Sequence, residues 1–194
     1  MSNLFQKLEM EAFRKGITPR TQESRTWFRQ KAANLRRVNR NALMKEEPIT
    51  LKNRVGPGSM VMFFYDPKTK DQLPYYDSFP LAIIVDDAPG GFYGLNLHYL
   101  PPMLRAKFLD GLLDNLSDKR YDEKTKIAVS YNYLKKASKL KYFKPCFKHY
   151  LTDHVRSRFA VVAAPEWEIA TFLPTADWQK KGSSAVYADS RKML

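Results

Sequence analysis

Arg25, Arg29, Arg36, Arg37 and Arg40 are spaced so that, on a helix turning about 100° per residue, four of them share one narrow arc and Arg37 lies beside it. No Asp or Glu stands between Glu23 and Glu46 to neutralise them. Like charges one turn apart on a helix repel by roughly 0.2–0.5 kcal/mol per pair, so such a face predicts an anionic partner, phosphate before any other. The competing reading is intramolecular, with the arginines turned toward the acidic middle of the chain. A second set, Lys135, Lys136, Lys139, Lys141, Lys144 and Lys148, interleaves with Tyr131, Tyr133, Tyr142, Phe143, Phe147 and Tyr150. Lysines hold phosphate as point charges, and exposed aromatic rings stack on unpaired bases. Phe143, Phe147 and Tyr150 also fit the i, i+4, i+7 stripe by which a helix faces a core, and for these rings the core reading has the better fit.

Catalytic chemistry has weaker support. Cys146, His149 and His154 superficially resemble zinc spacing, but a structural zinc needs a fourth ligand and usually a second Cys/His pair, and the chain has one cysteine and three histidines. A metal-dependent nuclease would need clustered carboxylates. Asp86-Asp87 and the Glu166/Glu168 pair around Trp167 are the nearest approach, and neither has a lysine at a persuasive spacing. Asp110 and Asp114, four apart, suit a solvated helix edge. There is no nucleophile elbow, and Gly90–Gly94 lacks both a phosphate-loop lysine and a dinucleotide fingerprint. The sequence therefore predicts a binding protein without catalytic residues, metal or cofactor.

Charge distribution points the same way. The chain of 194 residues carries a formal net charge of +13. Residues 1–54 hold 13 Lys and Arg against 5 Asp and Glu, 55–118 hold 4 against 8, 119–158 hold 12 against 3, and 159–194 hold 4 against 4. Two basic segments flank an acidic, apolar middle, as expected of two limbs that meet one polyanion. With 44% hydrophobic residues the chain can bury a core. The lone cysteine fits a reducing compartment, and the sequence shows no membrane-spanning run, lipidation motif or secretory signal, so no membrane partner is expected.

The elements that must position these groups can be read from period and punctuation. Leu4, Leu8 and Ala12 predict a first helix stopped by Gly16. Thr18-Pro19 predicts the cap of a second, with Trp27, Phe28, Ala32, Leu35, Val38 and Ala42 on its apolar arc. Met60–Tyr65, Pro80–Val85 and Phe92–Tyr99 predict antiparallel strands between Gly/Pro turns. Met103–Leu116 predicts a helix with Leu104, Phe108, Leu112 and Leu116 in register. Residues 129–152 read as mostly helical, broken or kinked at Pro145. Phe159–Ala164 predicts a fourth strand and Glu168–Leu173 a fifth, and 159–173 is expected to join the sheet of 57–100. The class is α+β: a small antiparallel β core, flat or curled into a partly open barrel, with an N-terminal basic helical segment and inserted helices. The expected division is a basic helical arm over 1–54, an α+β core over 55–181 with a helical insertion at about 102–155, and an exposed tail over 182–194.

Four stretches carry a family resemblance: Pro57–Lys68 (Pro-Gly-Ser-Met-Val-Met-Phe-Phe-Tyr-Asp-Pro-Lys), Leu73–Leu81 (Leu-Pro-Tyr-Tyr-Asp-Ser-Phe-Pro-Leu), Gly90–Pro102 (Gly-Gly-Phe-Tyr-Gly-Leu-Asn-Leu-His-Tyr-Leu-Pro-Pro) and Lys141–Pro145 (Lys-Tyr-Phe-Lys-Pro). With them the chain resembles the DNA end protector, or head completion, proteins of T4-like tailed phages, in particular those of cyanobacterial myophages. The resemblance implies a virion protein on the ends of packaged DNA, which helps complete the head and shields those ends from host exonuclease after injection. The implied partners are DNA ends and head, neck or tail proteins, and the implied locations are the virion and then the host cytoplasm. It supplies no site residues, so the eleven basic positions rest on the sequence pattern alone. The rival readings are a structural head, neck or tail connector and a metal-dependent nuclease.

Overall fold

The computed structural model describes residues 4–35, 38–45, 50–117, 130, 132–137, 139 and 143–192; Arg36, Arg37 and Lys141 lie outside them. The strands are β1 (Thr50–Lys52), β2 (Met60–Met62), β3 (Tyr76–Asp77), β4 (Leu81–Ala88), β5 (Gly91–Asn96), β6 (Phe147–Leu151), β7 (Phe159–Val162) and β8 (Trp178–Gln179). Six of them form an antiparallel sheet in the order β1-β7-β2-β4-β5-β6, while β3 and β8 pair separately. β7 lies between β1 and β2, with Met60 opposite Val162 and Thr50 opposite Val161. The late segment thus joins the early sheet, as the sequence predicts for 159–162. The sheet is open, with β1 and β6 as edges, and does not close into a barrel.

Both sheet faces are buried, which explains why the strands read as nearly continuous apolar runs. Met60, Met62, Leu81, Ile83, Leu95, Ala160 and Val162 face the larger core. Their alternates Val61, Ala82, Ile84, Phe92, Tyr150 and Phe159 face the other side and gather around Phe63 and Tyr65. The Phe63 ring meets those of Tyr65, Phe92, Tyr150 and Phe159 edge-on at centroid distances of 5.1–6.2 Å, a favoured aromatic geometry.

Helices cover the first face. α1 (Leu4–Arg14) buries Phe5, Leu8 and Ala12. It ends at Gly16, whose φ of +69° lets Ile17 N–H turn back to the Ala12 carbonyl at 3.1 Å. α2 (Gln22–Asn34) is capped by Thr21 rather than by the predicted Thr18: Thr21 and Ser24 exchange side-chain to backbone hydrogen bonds in a reciprocal box. α3 (Arg40–Leu43) is a separate single turn capped by Asn39. The predicted continuous helix through residue 42 is therefore divided, because Leu35 turns extended and Asn39 supplies a second N-cap. α4 (Pro102–Ser117) follows its prediction and buries Phe108 and Leu112.

Three further expectations are corrected. Residues 132–137 are helical, but 147–151 form edge strand β6 rather than more helix. The supposed helical stripe separates there: Phe147 stacks on Tyr93 while Tyr150 enters the opposite face, because pairing with β5 imposes a period of two. Glu168–Leu173 is no strand. Residues Trp167–Phe172 form α5 after a turn carrying Pro165. Trp167, Ile169, Ala170, Thr171 and Phe172 are all buried, and a run buried on every side has no amphipathic period to distinguish helix from strand. Ser183–Lys192, expected as exposed tail, form helix α6 and bury Val186 completely.

Candidate nucleic-acid interface

Of the five arginines, the three described, Arg25, Arg29 and Arg40, do not share one face. Arg25 on α2 pairs with Asp110 on α4. Arg40 donates Nε to the Thr175 carbonyl at 2.8 Å, reaches the Ala176 carbonyl as well, and stands 3.4 Å from Asp177. These two are committed inside the fold, the intramolecular alternative of the sequence reading. Arg29 points outward and has no ion pair among the described residues.

The lysines diverge as well. Lys135 pairs with Asp86 at 2.9 Å. Lys136 and Lys139 are exposed on the helical segment that precedes β6. Lys144 and Lys148 line a cleft of about 490 Å³ between the loop around 67–76 and the segment 144–151. Lys68, outside the two basic sets picked out by the sequence, lines it too. Tyr75, Tyr76 and Tyr99 contribute aromatic wall. Lys180, held at a φ of +71°, fixes the loop side: its Nζ donates to the carbonyls of Lys70, Asp71 and Leu73 at 2.7, 3.2 and 2.8 Å, one acceptor for each ammonium proton.

Strand geometry sets the character of Lys148. On β6 it alternates with Phe147 and His149, which lie against Tyr93. Its Nζ stands 3.9 Å from the Tyr99 ring centroid, a close cation–π contact. Burial pushes the ammonium down to about 8, against a smaller opposing influence of Cys146. Burial likewise drives the Cys146 thiol up to about 12. Lys68, Lys144 and Lys148 have no carboxylate partner among the described residues.

A buried polar assembly backs the cleft. His98 Nδ1 lies 2.6 Å from Asp77 Oδ2 and its Nε2 lies 3.1 Å from Thr175 Oγ1. Asp77 also accepts from Asn96 Nδ2 and from the amides of Phe79 and Asp177. Burial would raise the Asp77 carboxyl, but His98 and these donors outweigh it and hold it below the ordinary range. Burial lowers the His98 imidazole, reinforced by Arg105 and Arg40 and opposed by Asp77. Neutral His98 then donates to charged Asp77 and accepts from Thr175. The order Thr–His–Asp resembles a nucleophilic triad in outline only: Thr175 is 1% and His98 0% exposed, leaving no space for a scissile bond beside the hydroxyl. The assembly locks β3, the turn at Leu97–Tyr99 and the 174–177 loop together. Arg105, also buried, adds bonds to the carbonyls of Leu100 and Thr171 and to the Tyr187 hydroxyl, tying α4 to α6.

Among the described residues, no group of three or more His, Cys, Asp or Glu is placed to hold a metal ion. Cys146 is buried, His149 meets the Pro89 carbonyl and His154 the Asp66 carbonyl. Among the described residues, no helix is long and apolar enough to cross a membrane. The family model described as Phage T4 terminal DNA protecting protein matches residues 4–192. The chain belongs to that family. No curated protein and no solved structure matches it. Membership in this phage DNA-protecting family covers both basic segments, the sheet and the cleft, since the match spans nearly the whole chain.

Proposed function

We propose that the protein binds the ends of packaged linear phage DNA through phosphate contacts, shields them from host exonuclease and contributes to head completion. One observation carries the mechanism: a chain of a terminal DNA protecting family has a net charge of +13. A protein that blocks an exonuclease by occupying its DNA channel must imitate DNA and be acidic. A strongly basic protein acts on the DNA itself, where neutralised phosphates release counterions. The exposed Arg29, Lys136, Lys139 and Lys144 supply such contacts, and phosphate contact needs no particular base sequence. The proposed setting is the virion, then the host cytoplasm after injection, with head, neck or tail proteins as neighbours.

The test is digestion of linear duplex by a processive exonuclease with purified protein present. The expected result is retention of full-length linear DNA, stoichiometric in ends rather than in total length, and lost at high salt. Unimpeded digestion at saturating protein counts against capping. Particles that lack the protein but keep protected ends would assign it to a connector role. Metal-dependent shortening of the DNA by the protein itself would assign it to nuclease chemistry.

A further inference from the structure

Contacts to internal phosphates alone cannot find an end, because every phosphodiester along a duplex is alike to a point charge. End recognition needs a place that only a terminus can enter. We propose that the cleft between the 67–76 loop and β6 receives the terminal nucleotide of a DNA strand, its phosphate held by Lys144 and Lys148 and its base laid against Tyr76. The proposal rests on the end-binding reading above and names the group recognised.

Four features carry it. A volume of about 490 Å³ lies within the roughly 300–1,000 Å³ of sites that enclose small ligands, suiting one nucleotide and excluding a duplex. Lys68, Lys144 and Lys148 line one concavity, and none of the three has a carboxylate partner among the described residues. Among the described residues the one carboxylate in its wall, Asp77, has both oxygens occupied by donors. Tyr76 is half-buried and, alone among Tyr75, Tyr76 and Tyr99, has no ring stacked or tilted against it among the described residues, so no ring already holds the place of a stacking base. Stacking on a tyrosine offsets the loss of stacking when a terminal pair frays, and it does so whatever the base. Burial, which lowers the Lys148 ammonium, makes an incoming phosphate its missing counter-charge.

The experiment compares binding to a linear duplex bearing 5′-phosphates and short unpaired ends with binding to the same sequence closed by hairpin loops at both ends. The proposal expects the open duplex to bind at least about tenfold more tightly, on the scale of one base stack plus one phosphate. Lys148→Met and Tyr76→Ala should each remove most of that preference while leaving affinity for the closed duplex within about twofold. Deoxythymidine monophosphate and inorganic phosphate serve as competitors, expected to displace open ends only at far higher concentration than an unlabelled end. Should Tyr76→Ala not fold, Lys148→Met, which replaces a buried charge by an apolar chain of similar length, carries the comparison. Retained end preference in folded cleft variants overturns the proposal. So does equal wild-type binding to open and closed duplexes, although the phosphate reading then stands. Displacement by the mononucleotide as readily as by an end would make free nucleotide the ligand and overturn the strand-end assignment. Binding to neither duplex sinks the phosphate reading first.

Discussion

Lys148 shows how one side chain couples packing to electrostatics. Its folded value of about 8 lies well below the ~10.4 of a solvated lysine. Between those values the unfolded chain binds the extra proton, so this group makes folding stability rise with pH across that window. Phosphate binding runs the other way, since it requires the charged ammonium. DNA-end affinity should be level below about pH 8 and fall above it, by at most about tenfold per unit for one linked proton. Burial moves three neighbours away from this window, pushing Tyr99 and Tyr150 upward and Cys146 to about 12. Binding isotherms from pH 7 to 9.5 should show this descent in the wild type and a flat line in Lys148→Met. A parallel descent in both would remove Lys148 from the site.

Among the elements, β6 is the edge strand that brings Lys148 to the cleft, and Gly91 allows its close approach. A methyl group on Gly91 would overlap the Tyr150 carbonyl oxygen, with Leu151 Cα at 3.0 Å. Both obstacles are backbone, so no rotamer change relieves them. Gly91→Ala should force β5 and β6 apart, cost more than about 2 kcal/mol in urea denaturation, and weaken DNA-end binding because Lys148 and Lys144 shift together. An unchanged denaturation midpoint would show that the edge strand yields without loss. Gly16 differs in kind: a Cβ there meets nothing, and its positive φ alone sets the requirement.

For the whole molecule, what matters is how the charges are divided. Acidic groups such as Glu11, Asp77, Asp110, Asp114, Glu168 and Asp177 bind partners within the fold. Arg29, Lys136, Lys139 and Lys144 face outward. Removing an outward cation should therefore alter the salt dependence of DNA binding, whereas removing an inward one should alter stability. Arg29→Ala with Lys136→Ala should flatten the slope of log affinity against log salt by about 2 units, near 0.9 per lost phosphate contact on duplex. Arg25→Ala should leave the slope unchanged. Equal slopes in all three proteins, measured by titration at several salt concentrations, would exclude these outward positions from the interface.

The sequence by itself determined the α+β class, the two basic segments, the existence of core strands within Met60–Tyr65 and Pro80–Val85, and a helix over about Met103–Leu116. Each of these is a matter of local composition, period and punctuation. The resemblance in Pro57–Pro102 and Lys141–Pro145 pointed to the family, which the match over residues 4–192 establishes. Only the tertiary structure decided that Arg25 and Arg40 turn inward, because their partners lie 85 and 135 or more residues away. The same holds for Phe147–Leu151 as an edge strand, whose period of two comes from β5 beside it, and for Trp167–Phe172 as a helix, whose burial on all sides erases any period. Lys148 is far in sequence from Lys68 and Tyr76, and all three are ordinary when taken singly. They meet because Lys180 pins the 67–74 loop and β3 pairs with β8, contacts that no stretch of local sequence contains.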